Sequence, residues 1–149
     1  MATNIRQSIV TALDTLFKTI KTTASYETNL GNNVHWWRGE AVEVSELPAL
    51  LCRETVQTIP QTGGGQEHTM FLTVEIYCTA SDAGVVMRKC IADVIKAIGT
   101  SLTLGGLVAD IQTGGSGEST YVDHEGRKVF VTSLVFQVLY ETLNWNPYS

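Results

Sequence analysis

The chain has 149 residues, a formal charge of −5 and a sequence pI near 5.1. Apolar residues make up 44% and charged residues 17%, which suits one folded domain with a real core and excludes a disordered chain. The ten basic residues are scattered, which excludes binding to nucleic acid by clustered Lys and Arg that neutralise phosphates.

The N-terminus, Met1 to Ser8, lacks a basic segment that leads into an apolar stretch. No run approaches the roughly eighteen apolar residues of a membrane span. These features predict a chain that is made and kept in the cytoplasm.

Three cysteines, Cys52, Cys78 and Cys90, leave one thiol unpaired in any intrachain scheme and show no CxxC spacing. We expect buried free thiols. The alternative is an intermolecular disulfide, which needs an oxidising setting after assembly or release.

The first half of the chain predicts one helix and three strand-like runs. Apolar residues at three- and four-residue steps predict a helix from Asn4 to Lys21, with Thr3 or Asn4 as its N-cap. A short strand from Val34 to Arg38 follows, and a longer one from Ala49 to Ile59. Alternation of apolar and polar residues from Met70 to Cys78 then predicts a strand with one buried face.

The second half repeats the order of helix and strands. Ser81-Asp82 is the predicted cap of a helix from Ala83 to Ile98, with Gly99 at its end. The segment from Leu104 to Ile111 is predicted to become a strand, and the last strand runs from Val129 to Tyr140. The predicted inner face of this helix comprises Val86, Met87, Cys90, Ile91, Val94, Ile95 and Ile98.

Two Gly-rich segments, Pro60–Glu67 and Gly114–Lys128, each join two of the predicted strands. Both exceed the usual hairpin loop of about two to five residues, so they predict arms that are functional or mobile. The predicted fold is therefore α+β: a mostly antiparallel sheet of about four main strands, two helices on one face and two long hairpin arms. No linker divides it, so residues 1–149 form a single predicted domain.

No catalytic, cofactor-binding or metal-binding constellation is predicted. The glycine clusters lie between strands and lack the Gly-Lys-Ser/Thr of a Walker loop and the GxGxxG of a dinucleotide site. The cysteines fall in strand or buried-helix patterns, away from the base that a nucleophile needs. Asp123-His124-Glu125 is typical of a solvated turn, although a divalent ion between acidic residues of adjacent subunits stays open. We therefore expect a protein that is not an enzyme.

Aromatic residues at two places suggest contacts. Trp36 and Trp37 are adjacent on a strand and must face opposite sides, so one enters the core and the other meets a covering helix, a subunit or solvent. Trp145 and Tyr148 follow the last strand, which predicts that the tail docks on this chain or on a neighbour.

The order and spacing of these elements resemble the tail terminator (tail completion) proteins of long-tailed bacteriophages over nearly the whole chain. The matching features are the N-terminal amphipathic helix, the strand starting at His68, the helix ending at Ile98 and several short motifs. These motifs are Trp37-Arg38, Leu47-Pro48-Ala49-Leu50, Thr103-Leu104-Gly105-Gly106-Leu107 and Val138-Leu139-Tyr140.

The resemblance implies a structural virion protein that forms a hexameric ring on the head-proximal end of the tail tube. Such a ring stops tube polymerisation, presents a surface to the head connector and lets DNA pass through its lumen without specific binding. The alternatives are another neck component, such as a head–tail connector or stopper, and a small ligand-binding or enzymatic domain. The residues predicted to contact subunits or partners are Trp36, Trp37, Arg38, Gly63, Gly64, Gly65, Gln66, Glu118, Tyr121, Asp123, His124, Arg127, Trp145 and Tyr148.

Overall fold

The computed structural model describes residues 4–60, 63–79, 83–124 and 127–148, and for residues 83, 115–124 and 127 it describes the main chain only. Two helices and five strands are formed, which confirms the predicted α+β class. Their bounds are α1 Ile5–Lys18, β1 Val34–Trp36, β2 Ala49–Pro60, β3 Gly65–Cys78, α2 Ala83–Gly99, β4 Asp110–His124 and β5 Arg127–Leu143. Within these described ranges, neither helix is long and apolar enough to cross a membrane.

The strands form one sheet in the order β1-β2-β3-β5-β4. The short β1 is parallel to β2, and the three other pairings are antiparallel. Along β3, side chains alternate between buried and half-buried from Met70 to Cys78, so one face of the sheet is the core face. Both helices pack on this face, as predicted, and their apolar stripes close the core.

Helix α1 begins where the sequence predicts and ends earlier. The Asn4 side chain accepts a hydrogen bond of 2.7 Å from the Gln7 N–H, which confirms Asn4 as the N-cap, and Thr3 lies outside the described residues. The helix ends at Lys18, although the chain still buries Ile20 beyond it.

Helix α2 buries a stripe that differs from the predicted one at three positions, because Asp93 and Ala97 are buried although neither was predicted, and Ile95 is exposed. The stripe is centred on Cys90, Val94 and Ala97, whereas Ile95 is exposed because it lies about 100° further round the helix. Its prediction as an inner residue was wrong. The proposed Ser81-Asp82 cap falls outside the described residues.

The two Gly-rich arms are mostly strand rather than loop. In the first arm Pro60 pairs with Gln66, and in the second arm the ladder continues until His124 pairs with Arg127. The prediction of long loops was wrong because backbone pairing continues past the core and overrides the low strand propensity of glycine. Two register shifts in β4, between Thr113 and Gly115 and between Ser116 and Ser119, accommodate the extra residues.

The predicted strand beginning at Leu104 was also wrong. Leu104–Gly106 is a 3-10 turn in which Leu104, Gly105 and Gly106 have φ values of 48°, 70° and 96°. Left-handed backbone cannot continue a strand ladder, so β4 begins only at Asp110. The last strand is longer than predicted and runs over Arg127–Leu143.

The two hairpin tips lie at opposite ends of the sheet. At one end Gly65, which follows the first tip, pairs with Leu143. At the other end Cys78 pairs with Phe130, close to the tip that joins β4 to β5. The predicted contact residues of the two arms are therefore divided between the two ends of the sheet.

Candidate assembly surface

Arg6 on α1 lines two open cavities beside β2, and its partner Glu54 on β2 lines one of them. One cavity, of about 570 Å³, lies between α1 and the strands β1 and β2 and is lined in part by Trp36 and Trp37. The other, of about 530 Å³, lies against the core face of the sheet beyond α1 and is lined in part by Trp145. Because Arg6 lines both, we call the two cavities together the edge groove.

Glu54 holds this region in place. Its carboxylate is buried and accepts hydrogen bonds from Arg6 Nε at 2.7 Å, from Arg6 Nη2, and from Trp37 Nε1 at 2.6 Å. Charge-assisted bonds to a buried carboxylate are stronger than those between neutral groups. The side chain of Glu54 therefore ties the start of α1 and the indole of Trp37 to the same point on β2.

The two adjacent tryptophans occupy different environments. Trp36 is half-buried beneath α1, and its Nε1 donates to Asp14 Oδ1 at 3.1 Å, which fits the predicted core position with helix cover. Trp37 lies just past β1 with φ of 53° and is 59% exposed. Its contact with another subunit stays a prediction.

Arg38 is directed into its own chain. Its guanidinium donates two hydrogen bonds of 2.9 Å to the Glu46 carboxylate and one of 3.1 Å to the Ala41 carbonyl. The hydrogen bond from Arg38 lowers the pKa of Glu46 to about 2, with further help from the Glu43 N–H. This pair closes the loop between β1 and β2.

His68 lies on the core face of β3 inside the edge groove. Its ring nitrogens are 2.8 Å from Thr58 Oγ1 and 2.7 Å from Thr142 Oγ1, and the ring stacks on Tyr140 with centroids 4.7 Å apart. Burial lowers the pKa of His68. A neutral imidazole held between two hydroxyls cross-links β2, β3 and β5 at this end of the sheet.

The tail docks on its own chain through its backbone. The Ile5 N–H donates to the Pro147 carbonyl at 2.8 Å, and the Asn144 N–H donates to the Gly64 carbonyl. Trp145 nevertheless remains 87% exposed and Tyr148 56% exposed. The docked backbone therefore presents two aromatic side chains to the outside.

The structure brings together only part of the predicted contact set. Gln66, Trp145 and Tyr148 line the same cavity, and the turn residues Gly63 and Gly64 lie next to it with φ values of 105° and 91°. Gly65 opens β3 at this end, whereas the second arm lies at the other end of the sheet. There the main chain of Tyr121, Asp123, His124 and Arg127 is paired between β4 and β5, and Glu118 lies within a register shift. The side chains of these five residues lie outside the described part.

Sequence reasoning missed Arg6, Glu54 and His68. The available signal was Glu54, a charged residue at a position of β2 where alternation predicts a buried side chain. A buried carboxylate needs donors, which points to a nearby Arg.

The thiols are as predicted: Cys52, Cys78 and Cys90 are free and buried. Burial raises the pKa of all three and brings that of Cys90 to about 12. Among the side chains that the structure describes, no group of three or more His, Cys, Asp or Glu is placed to hold a metal ion.

No protein-family model and no curated protein matches the chain. Among solved structures, the chain is similar to one described as the virion of a native gene transfer agent particle. The identity is 13%, the TM-score is 0.36, and the match covers 93% of this chain and 92% of that chain. At this distance the likeness carries no argument about function.

Proposed function

We propose that this protein is a non-catalytic virion protein that forms a ring on the head-proximal end of a bacteriophage tail tube. The ring stops tube polymerisation and provides the surface that joins the head. This proposal combines the resemblance in element order, noted from the sequence, with the assembly surface described above.

The observation that carries the proposal is the set of exposed aromatic side chains around the edge groove. Trp37, Trp145 and Tyr148 are all more than half exposed. The Trp37 N–H donates to a carbonyl of β2, and the tail that carries Trp145 and Tyr148 is hydrogen-bonded to the first residue of α1 and to the first hairpin turn. Tryptophan and tyrosine are enriched in protein interfaces and supply much of their binding energy. Aromatic side chains on fixed backbone are suited to binding a protein surface with little loss of conformational entropy.

Termination follows from the difference between the two ends of the sheet. A growing tube end offers grooves and unpaired backbone to the next ring, and growth continues while each ring recreates them. A protein that binds this end with one set of elements and presents a different set at its other end does not recreate the site. The net charge of −5 also disfavours tight contact with DNA that passes through a ring.

The test is deletion of the gene from the phage that carries it, with tail lengths measured by electron microscopy. Overlong, heterogeneous tubes without heads are the expected result. Tails of normal length that fail to join heads would instead assign the protein to the neck, as a connector or stopper. Intact virions would refute an assembly role.

A point variant sharpens the test. Complementation with Trp145→Ala removes the most exposed indole and should leave headless or overlong tails. The matched control is Leu102→Ala, an exposed apolar residue in the turn after α2, which should restore normal virions. Equal behaviour of the two variants would show that the aromatic surface is not the contact.

A further inference from the structure

Both edges of the sheet carry backbone groups that point outward. On β2, the Leu50 N–H donates to the Asn33 carbonyl and the Cys52 carbonyl accepts from the Trp37 N–H, so even-numbered residues face outward. Beyond Cys52, the Glu54 carbonyl is taken by Arg6 and Pro60 has no N–H. Val56 and Thr58 each offer a complete donor and acceptor, and within the described residues no hydrogen bond uses them.

The outer edge of β4 has the same form. The backbone N–H and C=O groups of successive residues in a strand point to opposite sides, and the pairings of β2 with β3 and of β3 with β5 carry this order across the sheet. Odd-numbered residues of β5 therefore point their backbone groups toward β4. The Leu139 carbonyl, which accepts from the Ala109 N–H, agrees with this. Asp110 and Gln112 therefore face β5, whereas Ile111 and Thr113 face outward. In the described part of the chain these two residues have no partner strand on that side.

We infer that copies of this chain join head to tail by antiparallel pairing of the β2 edge of one copy with the β4 edge of the next. The inference rests on the self-association in the proposed function and names its interface. Each edge has two residues, two positions apart, whose backbone N–H and C=O both point outward. One register pairs all of these groups: it places Val56 opposite Thr113 and Thr58 opposite Ile111. Since β4 runs opposite to β2 in the sheet, copies in the same orientation give an antiparallel pair.

The two ends of this pairing agree with the local structure. Pro60 ends the β2 edge on one side. On the other side, β1 and Trp37 already pair with β2 up to Cys52, so a neighbour's β4 has to leave the edge there. The register shift of β4 at Gly114 lies at this point of the strand. The strand would pass Trp37 with glycines, which allow close approach to an indole.

Charge does not select the arrangement. The groove beside the β2 edge is lined by Arg6 and Lys18 and also by the carboxylates that pair with them, Glu54 and Asp14, so its charges balance. The inference therefore rests on the backbone groups of the two edges and on their register.

The register yields a direct cross-linking test. It places Gln57 of one copy opposite Gln112 of the next in a non-hydrogen-bonded pair, where Cα atoms lie about 4.5 Å apart and a disulfide can form. Both side chains are exposed and lie on the face without helices, and the native cysteines are buried. Purified Gln57→Cys and Gln112→Cys variants are mixed under mild oxidation, and dimers should form in the mixture and in neither variant alone.

The matched control replaces Gln112→Cys by Gln137→Cys, on the same face but one strand in from the edge. It should give no dimer with Gln57→Cys. The inference would be overturned if the control mixture gave as much disulfide dimer as the Gln57→Cys and Gln112→Cys mixture, or if either of these two variants formed a disulfide dimer alone. It would also be overturned if oligomeric fractions of the mixture contained no disulfide dimer, or if the chain sedimented as a monomer up to about 1 mM.

A second measurement removes one outward donor. Thr113→Pro deletes the outward N–H and leaves the bonds between β4 and β5 intact, and Thr113→Ala is its control. The proline variant should associate about tenfold more weakly than the alanine variant, with unchanged unfolding. Equal association of two folded variants would overturn the inference.

The cross-linking test and the gene deletion fail independently. If the Gln57→Cys and Gln112→Cys variants form a disulfide dimer but the deletion strain has tails of normal length, the terminator function is refuted and the interface stands. If the deletion strain has overlong tails but the two variants form no dimer, only the interface is refuted.

Discussion

Replacement of Arg6 by methionine tests the polar centre of the edge groove. Methionine keeps an apolar stem of similar length, but it leaves the buried Glu54 carboxylate with Trp37 as its remaining described donor. Each hydrogen bond to a charged group contributes about 1.5–3 kcal/mol, and two are lost. Because the Arg6 side chain is 48% exposed, solvent screening offsets a large part of this, and we expect a loss of about 2 kcal/mol in the free energy of unfolding.

Urea unfolding measures this loss. With an m value of about 1–3 kcal/mol/M, the midpoint should fall by roughly 1 M at unchanged m. The control is Arg53→Met, which breaks the Arg53–Glu75 pair on the face without helices. That pair is exposed on the Arg side, and its loss should cost less than about 0.5 kcal/mol.

A double variant separates a stranded charge from lost packing. If the cost arises from the uncompensated carboxylate, then Arg6→Met combined with Glu54→Leu should recover most of the stability, because both partners become apolar. Arg6→Met and Arg53→Met within about 0.5 kcal/mol of each other would refute the reasoning.

Three further predictions concern the supports of the fold. Gly31→Ala places its Cβ 2.5 Å from a backbone carbonyl at the end of α1 and should cost about 1–3 kcal/mol by urea unfolding, whereas Gly39→Ala, which meets nothing within 4 Å, should change stability by less than about 0.5 kcal/mol. Asp93→Ala leaves two main-chain N–H groups of the loop after α1 without their acceptor and should lower thermal stability by about 2–3 kcal/mol. Glu46→Gln tests the low pKa of Glu46, about 2 against an ordinary 4.5: in the wild type the stability from its bond to Arg38 is present above pH 4.5 and lost as pH falls toward 2, so the variant should lack this part of the acid dependence.

Local patterns predicted the core well. The buried alternation from Met70 to Cys78 and the stripe of α1 depend on strong periodicity, and both lie as predicted. Asn4 was identifiable because a short polar side chain before an apolar stripe satisfies an orphan N–H of the first turn.

The errors arise where contacts outside the local segment decide the conformation. Strand pairing of the Gly-rich segment after Gly114 depends on β5, the other strand of the same hairpin, which supplies its hydrogen-bond partners. The left-handed turn at Leu104 has no periodic signature. The groove was missed because Arg6 and Glu54 are 48 residues apart and meet only after α1 packs on the sheet.

The opposite placement of the two hairpin tips gives any ring built by edge pairing two unlike rims. Strand pairing aligns the strands of all copies, so every first turn with its glycines and Trp145 lies on one rim and every β4–β5 tip lies on the other. Such a ring has a direction, because a ring placed on the tube upside down would offer the tube the rim meant for the head. The fold would thus encode which rim binds the tail tube and which binds the head.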